Sequence, residues 1–236
     1  MRHILLFALL LFGSSQKMLN GINVQPPHIC GSTYLTRPLR VLVIGNSLAW
    51  SPPQPVFDWA KSNGMDATDT ASDYAHIVCN ALAERRRQSV ALMVVQAWGV
   101  ETAANTGQPV SPLYAETVNK FAPDVVVVQF SDNVSATNAT AFGVVYSAFL
   151  TSITWKRALV CVGAWYDYAA PLSAGIAANC VAHGGAFVEI GDLFLATDMR
   201  GGSFDSEINA GVGSHPNDMG HFEIARRIVL ALEEKL

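Results

Sequence analysis

Five short, almost wholly apolar runs separated by longer amphipathic stretches constrain this 236-residue chain more than any other feature. The runs cover residues 40–45, 91–97, 124–130, 157–163 and 186–190. A strand with water on one face alternates apolar and polar residues, whereas a run that is apolar throughout suits a strand buried on both faces. Residues 73–86, 113–121, 140–153 and 172–182 lie between or beside these runs and have the length and pattern of helices, and residues 218–235 form a closing helix. Alternation of this kind predicts an α/β fold with a five-stranded parallel sheet, right-handed crossovers and helices on both faces. No internal repeat or interior linker interrupts the pattern, so residues 39–236 read as a single domain. Residues 16–38, rich in Pro, Asn and Gln, read as an irregular lead-in.

Composition narrows the partners. Only 14% of residues are charged and the formal net charge is −4, which gives no electrostatic reason to expect nucleic acid. The cluster Arg85-Arg86-Arg87 reads as a helix end, where cations complement the helix dipole. At the start, Arg2 and His3 precede an apolar run from Ile4 to Phe12, which Gly13-Ser14-Ser15 follows. That is the pattern of a signal peptide over residues 1–15. The run is well short of the ~20 residues that a membrane span requires, so no stable membrane anchor is expected and the predicted location is secreted or periplasmic. Four cysteines, Cys30, Cys79, Cys161 and Cys180, allow three pairings and match no metal motif. Cys161, inside an apolar run, reads as a buried free thiol.

In open parallel sheets ligands bind beyond the carboxyl ends of the strands. Here those ends carry Asn46-Ser47, Trp98-Gly99, Ser131-Asp132-Asn133 and Trp165-Tyr166. Ser47 is placed at what reads as a strand-to-helix turn, where backbone N–H groups converge and would favour a developing oxyanion. Near the other end, His215 lies in a loop restrained by Pro216 and followed by Asn217 and Asp218. Histidine there is a candidate general base.

In this order and spacing, the pieces resemble the SGNH (GDSL-like) hydrolases from residue 40 to 235. Gly45-Asn46-Ser47-Leu48 is similar to that family's G-D-S-L block, with Asn for Asp. Gly99 falls where the family keeps an oxyanion-hole glycine. Gln129-Phe130-Ser131-Asp132-Asn133 resembles the block whose asparagine completes that hole, with Ser131 in place of glycine. His215-Pro216-Asn217 resembles the final block, D-x-x-H-P, but the acid three residues before the histidine is replaced by Val212. The resemblance implies a flavodoxin-like three-layer α/β/α sandwich and a serine esterase with no metal or organic cofactor. Ser47 would be the nucleophile and His215 the base, with Ser47, Gly99 and Asn133 forming the oxyanion hole. Asp192, Asp205 and Glu207 are the acids available to replace the missing one; otherwise a backbone carbonyl orients the imidazole.

Residues 63–76 loosely resemble a carbohydrate-esterase subset, which points to short acyl groups, acetyl above all, on a small-molecule or polysaccharide substrate. Trp50, Trp98 and Trp165, each next to a strand end, are candidate substrate-lining residues. A lipid-ester or lysophospholipase-type hydrolase is the alternative, as is a non-catalytic binding module on the same fold. Two further readings are weaker. The α/β-hydrolase nucleophile elbow needs several strands ahead of the serine, and here the serine follows the first. A zinc site on His215, Asp218 and His221 lacks a clear further ligand.

Overall fold

A computed structural model describes residues 18–19, 22–34, 37–201 and 210–236. The expected signal peptide, Asp205 and Glu207 lie outside the described residues. In chain order the strands and α-helices are β1 (Met18–Leu19), β2 (Ile22–Asn23), β3 (His28–Cys30), β4 (Leu39–Gly45), α1 (Tyr74–Arg86), β5 (Val90–Gln96), α2 (Trp98–Thr106), α3 (Leu113–Phe121), β6 (Val125–Gln129), α4 (Ala139–Ser152), β7 (Ala158–Val162), α5 (Ala170–Ala182), β8 (Ala186–Val188), α6 (Gly191–Leu195), α7 (Ala210–Gly213) and α8 (Asp218–Glu233).

The central sheet runs β3-β5-β4-β6-β7-β8. The five apolar runs form its parallel strands, and every residue of β6 and β7 is buried. Helices flank it: α1 packs on α8, and α4 packs against both α2 and α5. The chain passes from β4 to β5 on one side and then crosses to β6 on the other. The strand order therefore reverses at β4, which opens a crevice beyond its carboxyl end. Gly45 closes that strand because a Cβ there would lie 2.7 Å from the Gln129 carbonyl oxygen and 2.6 Å from the Ala49 Cβ.

Three expectations are corrected. The sheet has six strands, because the lead-in contributes β3, which pairs antiparallel with β5. Three residues with an exposed His28 and Ile29 carry no periodicity that would reveal such an edge. The helix α2 was not expected, since Gly99 near its start lowers helix propensity. Finally, Cys161 is not a free thiol: it is bonded to Cys180, joining β7 to α5, and Cys30 is bonded to Cys79, joining β3 to α1. The helix-end reading of Arg85 and Arg86 agrees with their place in the last turn of α1.

The two disulfides span sequence separations of 49 and 19 residues. In the chain-entropy picture such closures stabilise by up to about 4 and about 3 kcal/mol respectively. Replacing Cys30 and Cys79 together by Ala should therefore cost more in urea unfolding than replacing Cys161 and Cys180. An equal or reversed order would show that native packing, not loop length, sets their contribution.

Candidate active site at the switch point of the sheet

Ser47 stands two residues beyond Gly45 in a tight turn, in which the N–H groups of Ala49 and Trp50 both donate to the Asn46 carbonyl. No helix follows it directly; α1 begins only at Tyr74, so the expected strand-to-helix turn is instead an isolated one. Ser47 therefore opens no helix of its own. The turn is braced from within, because Asn46 Oδ1 accepts from the Leu48 N–H at 3.1 Å. It is braced from above by the Met65 N–H, which donates to the Ser47 carbonyl at 2.8 Å.

His215 comes to the same place from the far end of the chain. Its Nε2 lies 2.8 Å from Ser47 Oγ. Its Nδ1 lies 2.9 Å from the Gly211 carbonyl oxygen and 3.1 Å from that of Val212. Carbonyl oxygens only accept, so Nδ1 carries the proton and Nε2 presents its lone pair to the serine hydroxyl. The Tyr166 hydroxyl lies 3.3 Å from Nδ1 and 3.2 Å from Ser214 Oγ. The Val212 side chain points elsewhere and clusters with Trp59 and Met65.

Burial pushes the His215 imidazole down to about 4. In the unfolded chain this group gains its proton below an ordinary value near 6.5. The unfolded state thus binds more protons between those values, and His215 costs stability as pH falls through that window, by roughly 3 kcal/mol. Glu101, raised by burial to about 7, acts in the opposite sense as pH rises from about 4.5. The difference between wild type and His215→Asn isolates the histidine. Melting at pH 7 and pH 4.5 should show the variant losing less stability in acid; an equal loss would show that His215 is protonated in the fold.

The pair opens into a cavity of about 520 Å³ lined by Gln54, Phe57, Met65, Gln96, Trp98, Asn133 and others. Of the three tryptophans named from sequence, only Trp98 lines it, and it is 64% exposed. Trp50 and Trp165 are buried core residues; their indole N–H groups donate to Ser62 Oγ and to the Ser214 carbonyl. Strand-end position does not tell which way a ring turns.

Asn133 lines the cavity, whereas Asp132 is buried beneath it and accepts from Asn46, Gln129 and the backbone of Trp165 and Tyr166. Gly99 does not line the cavity, and its N–H donates to the Tyr114 hydroxyl at 3.0 Å. Asp192 is away from the pair, held in a bidentate ion pair by Arg227 at 2.6 and 2.8 Å. The residues weighed as zinc ligands are each engaged elsewhere: Asp218 accepts from the Thr68 N–H, and His221 contacts the Tyr74 N–H and the Met65 carbonyl. Sequence reasoning missed Glu101, a buried carboxylate that holds Asn133 and Asn46. Its one signal is a lone acid amid the small residues of α2.

No protein-family model and no curated protein sequence matches the chain. Solved structures do. An aryl esterase from Mycobacterium smegmatis aligns with a TM-score of 0.55 at 12% identity, over 84% of this chain and 99% of that one. A catalytic variant of an acetylxylan esterase from Geobacillus stearothermophilus aligns at 0.53 and 12% identity, over 84% and 96%. A predicted SGNH hydrolase of Slackia heliotrinireducens aligns at 0.51 and 17% identity, over 83% and 100%.

Proposed function

We infer that this chain, which has the SGNH-hydrolase fold, is a serine esterase that cleaves carboxylic esters through an acyl-enzyme. The observation that carries the reading is the Ser47 Oγ to His215 Nε2 approach of 2.8 Å at the switch point of the sheet. Ser47 attacks the ester carbonyl while His215 Nε2 takes its proton and passes it to the departing alcohol. Water then repeats the attack on the acyl-enzyme with the same histidine as base. The Ser47 N–H and the Asn133 side-chain amide serve the oxyanion. Gly99 is left out, because its N–H is already given to Tyr114.

His215 works as one half of a dyad. The Gly211 and Val212 carbonyls hold its Nδ1 proton in the role that a carboxylate plays in a triad. Single Ala replacements at Asp192, Asp205 and Glu207 should each lower kcat/KM by less than about tenfold, or roughly 1.4 kcal/mol. A thousandfold drop in any one, measured with a simple chromogenic ester, would install a displaced acid and end the dyad reading.

The substrate we propose is a short acyl ester, acetyl above all, of a carbohydrate. The exposed Trp98 and Phe57 at the cavity offer ring faces of the kind that pack on sugars. The similarity in fold to the acetylxylan esterase agrees with this. Two disulfides suit an oxidising compartment, which supports export. Among the described residues, no helix is long and apolar enough to cross a membrane. Acetylated xylan and p-nitrophenyl esters from C2 to C12 test the reading. Preference for C2 and release of acetate from xylan support it, and preference for long chains favours a lipid ester. Absence of hydrolysis, with no labelling of Ser47 by a serine-directed phosphonate, would leave a binding module.

A further inference from the structure

The fully buried carboxylate of Glu101 in the first turn of α2 touches both residues that frame the nucleophile. Its Oε2 accepts from Asn133 Nδ2 at 2.7 Å, and its Oε1 accepts from Asn46 Nδ2 at 3.1 Å and from the Asn133 N–H at 3.3 Å. Asn46 Nδ2 also donates to Asp132 Oδ2 at 2.9 Å, so one amide bridges two buried acids. The titratable groups that face Glu101 are Asp132, Tyr114 and Tyr168, none of them a cation.

We propose that Glu101 is the positioning residue of the oxyanion hole: it takes one N–H of the Asn133 side chain and leaves the other for the substrate oxygen. The proposal rests on the serine-esterase reading above. A side-chain amide free to rotate presents its donor only part of the time, whereas one pinned by a charged acceptor is fixed before the substrate arrives. Fixing the donor in advance lowers the barrier without tightening the ground state, so its loss falls on kcat.

The same geometry makes the hole sensitive to pH. All three groups around Glu101 are donors, so only the ionised carboxylate can accept from all of them at once. A proton on either oxygen sets an O–H against an N–H and releases Asn46 or Asn133. Burial raises Glu101 to about 7, and the neighbouring Asp132 adds to the rise. The hole is therefore assembled above that value and loosened below it. His215, held near 4 by its own burial, ionises well below this range. An acid limb near pH 7 in kcat thus belongs to Glu101 and not to the base.

The test compares kcat and KM across pH 4 to 9 for the full-length wild type, Glu101→Gln, Asn133→Ala and the double variant, with p-nitrophenyl acetate. Glutamine keeps the shape but replaces one acceptor by a donor. Glu101→Gln should lower kcat by about 30- to 100-fold with KM changed less than about threefold, and should remove the limb near pH 7. The double variant should be no worse than Asn133→Ala alone, because both remove one device. Retention of the limb, a loss carried by KM, or additive losses would each overturn the proposal. An NMR titration of the Asn133 side-chain amide in wild type decides the matter even if Glu101→Gln does not fold. Its resonances should move with a midpoint near 7, and resonances that stay still from pH 5 to 9 would overturn the assignment. If the wild type hydrolyses no ester while the amide titrates, the esterase reading alone fails.

Discussion

Ser47→Ala should lower kcat for ester hydrolysis by roughly four to six orders of magnitude while leaving the melting temperature within a few degrees of wild type. The hydroxyl is the only atom removed, and the backbone that holds it is fixed independently by the Asn46 carbonyl and by the Met65 N–H. His215 then loses its serine partner but keeps both carbonyl contacts, so its ring should remain in place. The residual rate would report what the oxyanion donors achieve on an attacking water. Active-site titration with a slow-turnover ester checks the acyl-enzyme directly: wild type should release a burst of one equivalent per chain and the variant none. A variant that keeps more than a few per cent of wild-type kcat in clean protein would remove Ser47 as the nucleophile.

Asn46→Asp, a change of a few atoms, should cost about 3–5 kcal/mol of stability at neutral pH. It restores the residue that the resembled motif carries at this place, yet the surroundings here do not permit it. Asn46 Nδ2 stands 3.1 Å from a Glu101 oxygen and 2.9 Å from an Asp132 oxygen, and all three residues are buried. An aspartate would set a third carboxylate between two others and remove the donor both of them share. Burial already raises the Glu101 and Asp132 carboxyls, so the cluster would have to take up protons or open. Urea unfolding at pH 7 and pH 5 provides the measurement. The deficit should shrink at pH 5, where a proton can bridge the acids; a variant as stable as wild type at pH 7 would show that water enters the cluster.

Much of this arrangement is legible in the sequence because it depends on local pattern. Strands β4 to β7 announce themselves as apolar runs since both their faces are covered. Ser47 and His215, 168 residues apart, draw notice because each stands just past a strand or just before a helix, and the fold brings them together. Features that depend on which way a side chain turns are hidden. Trp50, Trp98 and Trp165 each follow within a few residues of a strand end, yet two of the rings face the core and one faces the cavity. Glu101 stands in no pattern that marks it as buried, yet the fold sets it beneath Asn133. Cys161 looks like a core thiol until α5 brings Cys180 alongside it.

The anchoring of His215 by main-chain carbonyls has a consequence for how the site tolerates genetic change. An imidazole aligned by an acidic side chain can be disabled by one substitution at that acid. Contacts made by the Gly211 and Val212 carbonyls survive any replacement that preserves the turn. The side chain at position 212 is consequently released from chemistry, and here it fills space with Trp59 and Met65. Position 212 should accept Ile, Leu or Met with the Ser47–His215 pairing intact, whereas a proline or a one-residue deletion between 210 and 214 should break it.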